Sequence, residues 1–228
     1  MLIAPARQVQ PTPAAVLSQL REKVEALEGA LRRFAHVIPV CHGIDGALPG
    51  RGLPLGCIHE INGNAGTAIA FAGLLCARIQ RPGAVFFIEP ARSLYPLGLL
   101  PFGVSLDRWV HIRARRSKDL AWAVLEALRC PEVAAVLAAM KSADLTFSRR
   151  LQLAAESSGA TGFFFGNAAS AITRWRIAPM KNAAWSLDLL YCRGGRPGTW
   201  QVAWRNGHLE NLISEEPKIG FAETALAG

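Results

Sequence analysis

Apolar residues recur along this chain with two spacings, one typical of strands and the other of helices. Short and almost continuous apolar runs predict strands that are buried on both faces of a sheet. Four such runs occupy residues 57–61, 84–88, 109–112 and 162–165. A fifth run, at residues 133–140, contains several alanines, so the pattern leaves both strand and helix open there.

Helices are predicted between these runs, where apolar residues are spaced three and four positions apart. They cover residues 67–80, 117–129 and 146–158. After residue 173 the pattern changes to that of antiparallel strands. These strands cover residues 174–179, 185–193 and 199–205. Strands alternating with helices, followed by a hairpin, predict an α/β fold with a mainly parallel central sheet and a C-terminal antiparallel hairpin.

Residues 36–213 form this predicted core, and the chain on either side of it has a different composition. Residues 1–13 are rich in proline and are predicted to be disordered. At the start of the core, residues 36–56 are punctuated by glycine and proline and are predicted to be extended. Residues 214–228 carry three glutamates against one lysine, which predicts a flexible acidic tail.

The clearest helix of the chain covers residues 14–35 and is amphipathic. Its apolar residues are spaced so that they form one seam along the helix. The seam spans fewer than three heptads, which is too short to predict a self-sufficient coiled coil. The helix can dock on the protein's own core, bind a partner protein, or join two copies of the chain. The seam consists of Leu17, Leu20, Val24, Leu27, Leu31 and Phe34.

Composition narrows the class of protein. The chain has 228 residues, of which 51% are hydrophobic and 18% are charged, and this balance predicts one domain with a large core rather than a disordered chain. The longest runs without charge, at residues 61–77 and 157–173, are too short for a membrane-spanning helix. The first 13 residues lack the apolar core of a signal peptide. These observations predict a soluble, cytoplasmic protein that has no membrane partner.

The cysteines favour a reduced protein without a metal. There are five of them, which is an odd number, and they are widely spread without a CxxC pair. Disulfide frameworks and tetrahedral zinc sites normally show paired, short spacings. Neither a disulfide nor a metal site is therefore predicted.

A phosphate-binding loop is expected where the strand at 57–61 meets the following helix, but its chemistry is incomplete. Gly63, Gly66 and Thr67 stand there and can hold an anion weakly at the helix N-terminus. A nucleotide-binding loop also needs a lysine for the β- and γ-phosphates, and no lysine occurs between Glu60 and Lys118. The apolar run at 133–139 likewise lacks the carboxylate that would hold a metal ion. The sequence predicts no catalytic residue, no cofactor and no ATPase activity.

Two sets of motifs carry a family resemblance. Residues 52–63, GLPLGCIHEING, resemble the start of the ATPase core of RecA recombinases. Residues 85–89, 94–96 and 106–108 resemble the second core strand of RecA and the segment after it. The more specific resemblance is to the ImuA family, a RecA-like family without the ATPase motifs, and it spans about residues 15–212. It is carried by AITRWRI at 171–177, WSL at 185–187 and RGGRPGTW at 193–200.

The resemblance implies a RecA-like core and an accessory role in mutagenesis. ImuA proteins act in a DNA-damage-induced (SOS) mutasome with ImuB, an inactive polymerase homologue, and an error-prone polymerase in translesion synthesis. The resemblance implies contacts with an ImuB-type protein and with RecA, and a cytoplasmic location that becomes nucleoid-associated when DNA is damaged. In RecA the N-terminal helix packs on the neighbouring protomer, which favours a partner-binding or self-association role for the seam.

Three other functions stay open. The related SulA proteins, which inhibit cell division by binding the tubulin-like division protein, share the degenerate RecA-like core. The other two are a non-specific DNA-binding module and an ATPase with an unusual phosphate loop. The greater length of this chain and its RGGRPG and RWR motifs favour the ImuA resemblance over SulA.

The net charge of +8 predicts a binding surface for single-stranded DNA or for an acidic protein partner. Arginines beside a tryptophan are also typical of single-stranded DNA sites, although without groups that read bases the binding would be weak and salt-sensitive. A loop that merely keeps the domain soluble explains the same charges. The candidate residues are Arg113, Arg115, Arg116, Lys118, Arg149, Arg150, Arg174, Trp175 and Arg176.

Overall fold

A computed structural model describes residues 36–91 and 94–212 of the chain. The disordered segment predicted for residues 1–13, the amphipathic helix with its seam at 14–35, and the acidic tail at 214–228 lie outside the described residues. Four helices are α1 (His42–Asp45), α2 (Ala65–Ala77), α3 (Ser117–Arg129) and α4 (Leu145–Ser158). None of these helices is long and apolar enough to span a bilayer.

Thirteen strands complete the described part. In chain order they are β1 (Val37–Ile38), β2 (Leu53–Pro54), β3 (Ile58–Gly63), β4 (Ala84–Glu89), β5 (Trp109–Arg113), β6 (Val133–Ala138), β7 (Ser142–Ala143), β8 (Thr161–Phe164), β9 (Asn167–Ala168), β10 (Thr173–Pro179), β11 (Ala184–Cys192), β12 (Gly198–Arg205) and β13 (His208–Asn211).

Nine strands form one central sheet in the order β13-β12-β11-β10-β3-β8-β6-β4-β5. The six strands from β10 to β5 are parallel, and β10 to β13 pair antiparallel. This arrangement confirms the predicted α/β, RecA-like core with a mainly parallel sheet and C-terminal antiparallel strands. It also decides the open question at residues 133–140, because β6 is a strand whose side chains are all buried.

Several short elements were not predicted. The segment 36–56, expected to be extended, contains α1 and a short 3₁₀ turn at Pro49–Arg51. The pairs β1–β2 and β7–β9 have only two residues in each strand, which is too short for a period to be recognised. The four-residue strand β13 extends the sheet beyond the predicted hairpin.

The helices cover the two faces of the sheet, so that each face has its own core. On one face α2 packs its Phe71 against Trp175 of β10 in a large apolar cluster. On the other face α3 and α4 bury Val124 and Leu151. Helix α2 is apolar on all sides because the 3₁₀ segment Pro96–Phe102 covers its outer side.

A buried chain of hydrogen bonds joins β3 to β10 inside the α2-side core. Trp175 Nε1 donates to Thr173 Oγ1 at 2.8 Å, and that oxygen lies 2.7 Å from His59 Nδ1. His59 Nε2 lies 2.8 Å from the carbonyl oxygen of Pro54. Since that carbonyl can only accept, Nε2 carries the proton and the Thr173 hydroxyl donates to Nδ1. Burial lowers the pKa of His59 from 6.5 to about 4, so the imidazole is neutral at pH 7.

The cysteines of the described core are free thiols. Burial raises the pKa of Cys57, although its sulfur lies 3.4 Å from His59 Nε2. The imidazole proton is already held by Pro54, so the pair lacks an activated thiolate. Within the described ranges, no group of three His, Cys, Asp or Glu side chains could hold a metal ion.

Candidate functional site

The loop between β3 and α2 occupies the position of a phosphate-binding loop, and the side chain of Asn64 fills it. Asn64 is the N-cap of α2, and its Oδ1 accepts hydrogen bonds from the amides of Gly66 and Thr67 at 3.1 and 3.3 Å. The Thr67 hydroxyl donates back to the Asn64 carbonyl at 3.1 Å. Amides at a helix N-terminus are the groups that hold a phosphate, and here two of them already have a partner.

Gly63 at the end of β3 serves the sheet rather than a ligand. Its φ of +116° and the position of an added Cβ, 2.0 Å from the Ile177 carbonyl oxygen, exclude any other residue. The Asn64 amide donates to that same oxygen at 3.0 Å. The loop is therefore pressed against β10, and the three residues predicted to form a degenerate phosphate loop, Gly63, Gly66 and Thr67, all take part in internal contacts.

One buried carboxylate, that of Glu89, stands at the end of a core strand as the acidic residue of an ATPase would. It is remote from the loop between β3 and α2. Glu89, fully buried at the end of β4, has Oε1 2.7 Å from His111 Nε2. Strand β4 is separated from β3 by β6 and β8, which is three strand spacings or about 14 Å. The sequence analysis missed the Glu89–His111 pair because its members are brought together only by the parallel register of β4 and β5.

Most of the predicted cationic residues lie on the side of the sheet that α3 and α4 cover. Helices α3 and α4 both begin at the carboxyl edge of the parallel strands, since each follows one of them. Arg174 and Arg176 alternate on β10 with Trp175 and Ile177, which face the α2-side core. We name this surface the basic face; it contains Arg115, Arg116, Lys118, Arg149, Arg150, Arg174 and Arg176.

Arg113 and Trp175 do not share this side. Arg113 ends β5 at the carboxyl edge, and the alternation along the strand places it on the same side as His111. Trp175 is only 1% exposed, and its ring centroid lies 5.6 Å from that of Phe71 and 6.5 Å from that of Trp200. The prediction that Trp175 stacks on DNA is therefore wrong, because every second residue of β10 enters the core.

Three cations of the basic face already have acidic partners. Arg116 donates to both carboxylate oxygens of Asp119 at 2.6 and 3.0 Å, which lowers the pKa of Asp119. Arg176 pairs with Asp188 at 3.0 Å. Arg174 Nε lies 3.4 Å from Glu60 Oε2, and its guanidinium carbon lies 5.5 Å from the centre of the Tyr191 ring.

The remaining cations are exposed and carry no such partner. Among residues 36–91 and 94–212, no carboxylate lies within 4.0 Å of the charged groups of Arg113, Arg115, Lys118, Arg149 or Arg150. Asp144, which precedes α4, caps the helix by accepting from the Phe147 amide at 2.7 Å, and among the described residues it forms no ion pair with Arg149 or Arg150. These five side chains are available to an anionic partner.

Sequence reasoning missed the acid and the aromatic ring that organise one end of the basic face. Glu60 Oε1 accepts from Asn62 Nδ2 at 2.8 Å and Oε2 from the Ala168 amide at 2.9 Å. Arg174 lies between this carboxylate and Tyr191, which is 39% exposed. A charged residue inside the apolar run 57–61 was the signal for Glu60, but only the sheet register shows its partner.

Comparison with known proteins gives relatives of one family. No protein-family model matches the chain. Two curated relatives, one from each of two strains of Caulobacter vibrioides, are both named Protein ImuA. Each is 34% identical to this chain over 211 residues. Each alignment covers 75% of this chain and 86% of the relative. The motif resemblance is thereby confirmed: the chain belongs to the ImuA family.

Proposed function

We propose that this member of the ImuA family is a non-catalytic accessory protein of a DNA-damage-induced (SOS) mutasome. It binds an ImuB-type polymerase homologue, RecA or both, and supports error-prone translesion DNA synthesis. It acts in the cytoplasm and joins the nucleoid when DNA is damaged. The observation that carries the proposal is the pairing of a phosphate loop filled by Asn64 with a face of unpaired arginines.

The absence of catalysis follows from charge. Phosphoryl transfer needs positive charge on the phosphates from a lysine, an arginine or a metal ion. The segment from Asn62 to Gln80 contains only one cation, Arg78, at the far end of α2. A Mg-ATP titration by calorimetry tests this step, and tight binding that Gly66→Asp abolishes would revive the ATPase alternative.

A protein partner is the first choice for the basic face, and single-stranded DNA is the second. The face combines four unpaired cations with exposed apolar side chains on α3 and α4, including Trp122 at 66% and Leu153 at 55% exposure. Apolar side chains between cations fit an acidic, amphipathic protein surface. DNA would use the same arginines, but the described face offers Tyr191 as its exposed aromatic ring beside an arginine, which supports only weak, salt-sensitive binding.

The basic face can be tested by charge reversal. Purified Arg149→Glu/Arg150→Glu protein should lose at least about tenfold in affinity for the ImuB-type protein or for RecA in pull-down and titration experiments. The matched control is Arg51→Glu/Arg196→Glu, which changes the net charge equally on exposed residues outside the basic face. Retention of this chain on the tubulin-like division protein alone would contradict the proposal and support the SulA-like function.

The predicted seam from Leu17 to Phe34 lies outside the described residues and belongs to the same proposal. Leu20→Asp with Leu27→Asp should abolish partner binding or self-association, because a helix-in-groove contact depends on its apolar side chains. The variant should still melt cooperatively at the wild-type temperature, as measured by circular dichroism. Unchanged binding together with a lowered melting temperature would assign the seam to the protein's own core.

A further inference from the structure

A cavity of about 890 Å³ lies at the amino edge of the parallel sheet, the edge opposite to the loop between β3 and α2. Its walls come from β1, from the residues just before β3 and β10, from the C-terminal ends of α2 and α4, and from the loop after β11. The basic face does not contribute to it. We name it the amino-edge cavity; its lining includes His36, Ile38, Leu55, Gly56, Gly159 and Ile172.

The inner surface of this cavity is apolar and contains two glycines. Ile38, Leu55 and Ile172 supply aliphatic side chains from three separate segments. Gly56 and Gly159 lie close together, since a Cβ added to Gly56 would be 3.5 Å from the Gly159 Cα. Because neither glycine has a side chain, the cavity keeps room for a bulky apolar group, and pockets of this size bury whole drug-sized molecules.

The charges around the cavity do not favour a small anion. Arg78 donates to two backbone carbonyls after β1, and its positive charge opposes the rise that burial causes in the pKa of Asp45. Arg81 donates to a backbone carbonyl before β6, and the carbonyl ends of α2 and α4 add partial negative charge. Arg193 and Glu156 contribute one charge of each sign. Among the described lining residues the charges therefore nearly balance, and the apolar wall decides what the cavity binds.

The chain enters the described core at the rim of this cavity. His36 is the first described residue and lines the cavity, and its carbonyl oxygen accepts from the Leu55 amide at 2.9 Å. This hydrogen bond continues the antiparallel pairing of β1 with β2, in which Ile38 lies opposite Leu53. Two extended residues span about 7 Å, so Phe34 lies no further than that from His36.

Phe34 stands where an apolar side chain can enter the cavity. Side chains alternate along an extended segment, so Phe34 is on the same side as His36 and Ile38, which both line the cavity. The helix predicted over residues 14–35 then ends at Arg33, which lies within the usual uncertainty of a helix end. Burial of a phenylalanine removes about 200 Å² of mostly apolar surface from water, and the cavity offers the nearest apolar wall.

From these features we propose that Phe34 fills the amino-edge cavity of its own chain and anchors the predicted helix to the core. The same chain is the occupant because the short connection to His36 holds Phe34 at the rim at a high effective concentration, which a second copy would have to overcome. Leu20 lies about 20 Å along a helix from Arg33, so the first part of the seam extends beyond the cavity. Its use by a partner rests on the proposed function, whereas the anchor does not.

Photocrosslinking of the full chain tests the anchor. With p-benzoylphenylalanine in place of Phe34, illumination should join tryptic peptide 34–51 to tryptic peptide 151–174, which carries Gly159 and Ile172 of the cavity. Mass spectrometry identifies the joined peptides. The same photocrosslinker in place of Leu20 is the matched control and should not label peptide 151–174. In a mixture of isotope-labelled and unlabelled protein, joined peptides of mixed label would place Phe34 in a second copy and would overturn the proposal.

Thermal unfolding provides a second readout. Phe34→Ala should lower the melting temperature of the full chain by about 5 °C or more, because the cavity loses its apolar filling. Leu17→Ala removes a seam side chain beyond the reach of the cavity and should change the melting temperature by less than about 2 °C. Circular dichroism measures both variants.

The outcomes separate the anchor from its alternatives. If peptides 34–51 and 151–174 are not joined, the proposal is overturned. If the bulkier photocrosslinker itself lowers the melting temperature, the contrast between Phe34→Ala and Leu17→Ala decides, and equal changes in the two variants would overturn the proposal. Neither measurement uses a partner protein, so failure of the anchor is distinguishable from failure of the proposed function.

Discussion

The two faces of the central sheet are built from the same strands but differ in their side chains. One face is apolar and aromatic, and the other exposes arginines. On the α2 side, tryptophans and phenylalanines stack on each other, and Phe102 lies 5.5 Å from Trp185 and 5.6 Å from Trp204 between ring centroids. On the α3 and α4 side, unpaired arginines project into solvent. Strand β10 contributes to both sides, since Trp175 enters the core while the ion-paired Arg174 and Arg176 face outwards. One Arg-Trp-Arg motif therefore divides its side chains between a buried apolar core and an exposed polar face.

The largest loss of stability is expected from removing a large side chain from the apolar core on the α2 side. Trp175→Ala should lower the free energy of unfolding by about 4 kcal/mol, because it leaves a cavity beside Phe71 and removes the indole donor to Thr173. Arg176→Ala, one residue further along the strand, should cost less than about 1 kcal/mol, since its ion pair with Asp188 is exposed. Urea unfolding of both variants measures the contrast, and equal losses would contradict the division between the two faces.

The second-largest effect is expected at low pH, where protonation of the buried His59 lowers the free energy of unfolding. The pKa of His59 is lowered from 6.5 to about 4 by burial, so the unfolded chain binds a proton that the folded chain refuses. Stability from the neutral imidazole is therefore complete above pH 6.5 and is lost as the pH falls towards 4, by about 3 kcal/mol in all.

Urea unfolding at pH 7 and at pH 4.5 tests this acid sensitivity, with His59→Gln as the reference for the titration of all other groups. The wild type should lose more stability between the two pH values than His59→Gln does. His42→Gln, on the exposed side of α1, should keep the wild-type difference. A wild type that tracks His59→Gln would show that His59 is not sealed from water.

The smallest effect concerns the loop at the carboxyl edge. Asn64→Ala should lower the free energy of unfolding by about 1 kcal/mol, because the amides of Gly66 and Thr67 lose their acceptor. Asn64→Asp should keep most of the stability, since aspartate also caps helices. Urea unfolding distinguishes them, and a loss in both variants would indicate that Asn64 acts through packing instead of capping.

Much of the core was readable from the sequence because its signals are local. The apolar runs that became β3, β4, β5 and β8, and the helical periods of α2, α3 and α4, needed no knowledge of the fold. The cap on α2 was also readable, since asparagine directly before a helix is a standard N-cap, although the sequence analysis treated the loop only as a weak anion site.

The parts of the site that escaped prediction depend on distant residues. Glu60 meets Arg174 only because β3 and β10 lie side by side in parallel register. The side of β10 that Trp175 occupies depends on which neighbouring surface is buried, and the sequence pattern allowed either. The cavity of about 890 Å³ lined by residues of β1, the ends of α2 and α4 and the loop after β11 is assembled from separate segments between residues 36 and 193, so no short motif predicts it.

The Asn64 cap has a consequence for how the protein responds to the cell. A side chain tethered beside its amides acts as an internal ligand whose effective concentration, on the order of millimolar or more, cannot be diluted. The start of α2 is therefore ordered by the chain itself at any nucleotide concentration. A RecA-like core organised in this way would keep its shape when the supply of ATP falls.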